Sequence, residues 1–291
     1  MILEIPAIAS KLAPEFVGDS ASLSTICIRT TNPKYLLFRE NGTSPVCVAQ
    51  VGSRDELTRL DAVLQRIHSI APELVAKPLG MSPFGDRCVH LQSGMPGLPW
   101  FVIKDKTRSR ERWLHLAALA GTALQRLQNA VGKQAEWHSR LKPGEELRRQ
   151  ARICAEQGVE LSTRATLHIE QQAGLLDSLG EITSQYQHGD FCLNNLLVSD
   201  SSVAIIDFDE FGRTVMPLHD EIGLALSIAD LSPHRGVSPT PKHEQLRGLY
   251  LHHLLWRINQ THHFPTRKRA RQELLARVEA APGLALDSLS P

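Results

Sequence analysis

The chain has 291 residues, 32 Lys/Arg against 31 Asp/Glu, thirteen His and five Cys. That length holds one large or two ordinary domains, and 42% hydrophobic residues can form a real core, which argues against wholesale disorder. A formal net charge of +1 gives no global field for nucleic acid or an anionic membrane.

The first half reads as strands around one helix. Residues 35–39 are apolar, Asn41-Gly42 marks a turn, and 45–51 alternates through Val46, Val48 and again Val51, which is a hairpin signal. Ser53 and Glu56 form a capping box, and Leu57, Leu60, Leu64 and Ile67 then recur at helical spacing until Ala71-Pro72 ends the helix. Two short strands follow, at 76–81 and 87–91, separated by Pro83-Phe84-Gly85. The Gly- and Pro-rich stretch 92–99 reads as a linker between lobes.

Beyond it the character changes. Trp113, Leu116, Ala117, Ala120, Leu124, Leu127 and Val131 form an amphipathic stripe that reads as core. Residues 144–158 and 162–179 read as helices, 196–198 and 203–206 as a compact β segment, and 219–230, 242–260 and 267–280 as further helices. No internal repeat is visible. Sheet and helices are segregated, so the fold class is α+β and not alternating βαβ units.

The chemistry concentrates in His188-Gly189-Asp190-Phe-Cys-Leu-Asn-Asn195 and in Ile205-Ile-Asp207-Phe-Asp-Glu-Phe-Gly212. Gly189 permits a tight backbone just before Asp190, and a carboxylate on an irregular loop can face a substrate. Asn195 offers a neutral carbonyl oxygen. Asp207 emerges at the end of an apolar strand. Asp and Asn oxygens with few other ligands suit Mg²⁺, which takes its remaining oxygens from water and phosphate. One carboxylate as base beside such a cation is the equipment of phosphoryl transfer to a hydroxyl.

His-Gly-Asp-x-x-x-x-Asn followed by Ile-Asp-Phe resembles the aminoglycoside phosphotransferase and choline kinase family, part of the protein-kinase-like superfamily. The resemblance covers roughly residues 20–260. It implies a bilobal fold: 1–91 as a nucleotide-side lobe with a five-stranded antiparallel sheet and one helix, 92–99 as the hinge, and 100–291 as a larger helical lobe. It implies that Asp190 orients the acceptor hydroxyl and takes its proton, and that Asn195 and Asp207 hold Mg²⁺. His188 and Asp220 would support the catalytic loop, and Leu91, Gln92 and Ser93 would meet the adenine of ATP, or the base of GTP. The partners implied are a nucleotide and a small-molecule hydroxyl, with no nucleic acid and no membrane.

The chain departs from the family at the nucleotide end. Members usually carry a Lys on the third strand; here Val48-Ala-Gln50-Val51 puts Gln there, which can donate a hydrogen bond but brings no charge. The carboxylate expected on the following helix is displaced too, with Leu60 on the buried stripe and Asp61 at its edge. Three readings stay open: another cation such as Lys34 reaches the phosphates, the enzyme works slowly without one, or the chain is a nucleotide-binding pseudokinase or scaffold. The ordinary reading of Lys34 is a solvated turn lysine, in a 30–34 turn that contains no glycine.

Other features read as structural. His252-His253 and His262-His263 lack ligands at metal spacing, and neighbouring side chains on a helix diverge. Arg267–Arg271 reads as a solvated helix face, and Cys192 as a thiol without a role. Scattered cysteines with no C-x-x-C favour a reducing, cytoplasmic setting. No signal peptide is read at Met1–Pro6, and no apolar run approaches the ~18 residues of a membrane span. Residues 232–291 hold nine Lys/Arg against four Asp/Glu. The resemblance places the acceptor near the last helices, and a polycationic acceptor would need carboxylates there. A neutral or anionic acceptor is therefore expected, such as a sugar or metabolite alcohol.

Overall fold

The structure is a computed structural model that describes residues 4–18, 22–28, 32–107, 109–232, 244–261 and 268–281. It forms two compact units: residues 1–133 with 190–211, and residues 134–189 with 212–291.

The first unit is built on a five-stranded antiparallel sheet. Its strands are β1 (Leu23–Ile28), β2 (Lys34–Arg39), β3 (Cys47–Gly52), β4 (Pro78–Phe84) and β5 (Arg87–Ser93), in the order β1-β2-β3-β5-β4. The two turns read from the sequence are present: Asn41 takes a φ of 61° between β2 and β3, and Gly85 a φ of 61° between β4 and β5. Tyr35 and Leu37 alternate inward along β2, as a half-buried strand requires. Two helices precede the sheet, α1 (Glu4–Leu12) and α2 (Pro14–Val17). Ile5 and Ala9 of α1 share a core with Leu37, Ala49, Val51, Val89 and Leu91.

Helix α3 (Arg54–Ile70) starts at the capping box, where the Ser53 hydroxyl donates to Glu56 Oε2 at 2.8 Å and accepts from the Glu56 amide at 3.4 Å. Leu57, Leu60, Leu64 and Ile67 are its buried stripe.

Residues 92–99 are tied into two sheets. Strand β5 runs through Ser93, the Gly94 amide donates to Val46 O at 2.8 Å, and β6 (Leu98–Pro99) pairs with β9 (Leu196–Val198). A Cβ on Gly94 would lie 1.7 Å from the Pro45 carbonyl oxygen, so only glycine permits this approach. The same unit holds α4 (Trp100–Ile103), α5 (Arg110–Gly132) and β10 (Val203–Ile205), which completes the sheet β10-β9-β6. The compact units thus divide the chain at places other than 92–99, and α4 and α5 belong with the sheet-bearing unit.

The second unit has a two-stranded sheet, β7 (His138–Leu141) with β8 (Ile182–Gln185), and the helices α6 (Pro143–Glu156), α7 (Thr163–Asp177), α8 (His219–Leu231), α9 (Glu244–Thr261) and α10 (Lys268–Ala280). Leu147, Ala173, Leu254, Leu255 and Ile258 are among its fully buried core residues. The expected bounds at 242 and 267 lie outside the described residues, as do His262, His263, Thr30 and Thr31. Among the described residues, no helix is long and apolar enough to cross a membrane.

Candidate active site

Antiparallel register sets one side of this site. Lys34 of β2 lies opposite Gln50 of β3, and Gln50 lies opposite His90 of β5. The three form a row across the sheet, because directly opposed residues share a face. Lys34 is therefore a strand residue and not a solvated turn lysine. Its ammonium donates to Asp207 Oδ1 at 2.8 Å and stands 3.8 Å from Asp209 Oδ2. Gln50 is buried and donates from Nε2 to both oxygens of Asp209, at 3.0 and 3.3 Å.

The carboxylate sought on α3 does not serve this row as a partner of Gln50. Leu60 is buried, and Asp61 Oδ1 lies 3.0 Å from His90 Nε2. Helix α3 meets the site through Arg59 instead, whose guanidinium donates to Asp209 O at 2.7 Å and Phe211 O at 3.3 Å.

Burial would lower the pKa of Lys34, but Asp207, then Asp209, then Asp190 outweigh it and the value is raised. Asp209 is raised by burial and by Asp207, against the opposing pull of Lys34. Two carboxylates thus face one ammonium, and the cluster favours a further positive charge.

Asp207 sits just past β10 with φ 68° and ψ 62°, a left-handed conformation uncommon for a residue with a side chain. The Ile206 amide donates to Asn195 O at 3.0 Å, tying the approach to Asp207 to the preceding loop. In that loop Asn195 Nδ2 donates to Asp190 O at 2.8 Å and to Asp190 Oδ2 at 3.1 Å. The amide nitrogen is committed to Asp190, so the carbonyl oxygen is the atom that Asn195 can offer a cation. Carboxylate and amide oxygens fit a hard divalent cation.

In the second unit, Asp220 lies in the first turn of α8 and is 1% exposed. Its Oδ2 accepts from the His188 amide at 2.6 Å and its Oδ1 from the Gly189 amide at 3.0 Å. Gly189 has φ 84°, as the tight turn before Asp190 requires. His188 is also buried, and the ring of His219 lies 3.3 Å from Gly189 O.

Leu91 is buried within the sheet, and both the amide and the hydroxyl of Ser93 are engaged with Lys77. Gln92 lines a crevice with Lys34, Gln50 and Asp207.

His252 and His253 do not diverge into separate surroundings. Both are buried, with ring centroids 5.7 and 4.5 Å from His219, and His252 Nε2 lies 3.3 Å from Glu146 Oε1. Among the described residues, no three His, Cys, Asp or Glu side chains form a metal cage. Arg269 pairs with Glu273 at 3.1 Å on the exposed face of α10, as a solvated helix face does. Cys192 is half-buried.

Sequence reasoning quoted Asp209 within its motif but gave it no place. Its position two residues after Asp207 was the only signal available.

The sequence profile of the phosphotransferase enzyme family matches residues 28–220. The chain belongs to this family. It is a small-molecule phosphotransferase with the α+β fold of the kinase-like enzymes. Solved structures share that fold at low identity. A thermostable mutant of aminoglycoside phosphotransferase APH(4)-Ia is 15% identical, with a TM-score of 0.60 over 96% of this chain and 100% of that one. Macrolide 2'-phosphotransferase MphH from Brachybacterium faecium is 15% identical, with a TM-score of 0.55 over 99% of each chain. A glucosamine kinase is 16% identical, with a TM-score of 0.51 over 97% of this chain and 81% of that one. Among curated proteins, none is significantly similar in sequence.

Proposed function

We propose that this phosphotransferase moves the γ-phosphoryl group of ATP or GTP to a hydroxyl of a small molecule, with Mg²⁺. The observation that carries the reading is the placement of Asp190, Asn195 and Asp207, linked through Asn195 Nδ2 to Asp190 and through Asn195 O to the Ile206 amide.

Asp190 accepts the proton of the acceptor hydroxyl and fixes its direction of attack. Asn195 fixes the Asp190 carboxylate through its amide nitrogen, and its carbonyl oxygen would be a ligand of the cation. Asp207 gives the cation a carboxylate oxygen. Mg²⁺, when bound, draws charge from the phosphate oxygens. Asp220 and His188 hold the backbone just ahead of Asp190. Gln92 reaches the base.

The excess of cations after residue 231 supports a neutral or anionic acceptor, a sugar or metabolite alcohol. Five scattered cysteines with no C-x-x-C suit a reducing cytoplasm. Gln50 favours a second reading, a nucleotide-binding protein with little transferase activity.

Thermal unfolding with Mg²⁺–ATP and Mg²⁺–GTP tests the first reading. A nucleotide at 100 times its Kd should stabilise the protein by about 2.7 kcal/mol. No shift with either nucleotide would refute it. Asp190→Ala should abolish turnover and keep nucleotide binding. A parent protein that binds nucleotide but transfers phosphate to no acceptor, across sugars, amino alcohols and aminoglycosides, would favour the second reading. Phosphorylation of aminoglycosides or polyamines alone would overturn the acceptor class.

A further inference from the structure

We infer that the charge missing from β3 has moved one strand over, so that Lys34 grips the nucleotide phosphates and Asp209, clamped by Gln50, positions it. This rests on the nucleotide-dependent reading above and assigns the part of it that the sequence left open.

Register carries the first step. Lys34 is directly opposite Gln50, so the two Cβ atoms are separated by about 5 Å. The long lysyl side chain spans that step, and its ammonium arrives beside Asp207 at 2.8 Å. A lysine reaching from β2 thus puts its charge where one on β3 would put it, next to a proposed cation ligand and facing the crevice that Gln50, Gln92 and Asp207 line.

The second step concerns what holds that ammonium. In a Lys–carboxylate pair the carboxylate keeps the long side chain aimed. Helix α3 cannot supply it, because Leu60 packs into the core and Asp61 is paired with His90. Asp209 does so from the loop after β10. Its Oδ2 lies 3.8 Å from Lys34 Nζ, and both of its oxygens accept from Gln50 Nε2. Gln50 has become the clamp on the carboxylate. Arg59 fixes the Asp209 backbone from α3. An ammonium has three donors, so Lys34 can leave Asp207 for phosphate and keep its orientation from Asp209. The lysine, its carboxylate and the residue at the old lysine position have been rearranged together.

The test measures nucleotide Kd by thermal shift and by calorimetric titration with Mg²⁺–ATP and Mg²⁺–GTP, beside KM and kcat. Lys34→Met should weaken nucleotide binding about ten- to hundred-fold, the range of a charge-assisted hydrogen bond. Lys34→Gln serves if the methionine variant does not fold. The exchange variant Lys34→Gln/Gln50→Lys should recover binding to within a few-fold, because the charge returns to β3. Asp209→Asn should weaken nucleotide binding in the parent and add nothing in the Lys34→Met background, a coupling that a general loss of stability would not produce. Lys34→Met with a Kd within two-fold of the parent would overturn the inference, and so would additive effects of the Lys34 and Asp209 substitutions. A parent that binds no nucleotide at all would instead overturn the functional reading on which the inference stands.

Discussion

Replacing Asp220 by alanine removes one carboxylate and strands two buried amides, those of His188 and Gly189, now held at 2.6 and 3.0 Å. A hydrogen bond to a charged group contributes about 1.5–3 kcal/mol, and each buried donor left without a partner costs about 1–3 kcal/mol. Relief from burying the charge offsets part of this, so the net loss should be about 3 kcal/mol. At about 2–4 °C per kcal/mol for a domain of this size, the melting temperature should fall by roughly 6–12 °C. Asp220→Asn keeps one acceptor and turns an NH₂ toward the other amide, so it should fall between the two. Hydrogen exchange followed by mass spectrometry should show faster exchange at His188 and Gly189 in both variants. Because Gly189 directly precedes Asp190, kcat should drop at least a hundred-fold while nucleotide Kd stays within about three-fold, in line with a misplaced catalytic group. A melting temperature within 1 °C of the parent, with unchanged exchange at these amides, would refute the reasoning.

Three further perturbations have defined outcomes. Burial lowers the pKa values of His219, His252 and His253. The unfolded chain therefore takes up protons that the folded chain refuses, and stability is full above about pH 6.5 and falls below it, by about 1 kcal/mol per pH unit for each ring. Glu146, pushed down to about 2, stays ionised in that window and accepts from the neutral His252 ring. Urea unfolding at pH 7.5, 6.0 and 5.0 measures the effect, and equal stability at all three would contradict it. Gly94→Ala should yield no soluble folded protein, whereas Gly121→Ala, on α5 with nothing within 4 Å of the added Cβ, should be neutral or stabilising by about 0.5–1 kcal/mol. Expression with far-UV circular dichroism separates the two. Burial pushes the Cys47 thiol up to about 11 and that of Cys154 up to about 12. A thiol reagent at pH 8 should label at most Cys27, Cys88 and Cys192 in the native protein and all five in denaturant.

The sequence was most legible where a local rule decides the conformation. The capping box at Ser53, the α3 stripe and the Asn41 and Gly85 turns each depend on neighbours a few residues away. Helix α1 escaped because nine residues with Pro6 in the first turn bury only Ile5 and Ala9, too short a period to read. The 92–99 stretch reads as a linker between lobes on its Gly and Pro content; in the structure Gly94 serves a close backbone approach and Pro99 ends a paired strand. The burial of His252 and His253 was not legible, because Leu251–Trp256 are buried all round and show no polar face to mark it. Asp190, Asn195, Asp207 and Asp220 could be picked out because spacing and residue type mark them together. The partners of Lys34 could not, since register across β2 and β3 and a contact 173 residues away are invisible to local pattern.

The most direct measurement of the central claim is acceptor-dependent formation of ADP or GDP from Mg²⁺–nucleotide, in the parent and in Asp190→Ala side by side. Turnover that requires an alcohol acceptor, vanishes in Asp190→Ala and leaves nucleotide binding intact in that variant is the expected result. Turnover that survives the loss of Asp190 would contradict the account.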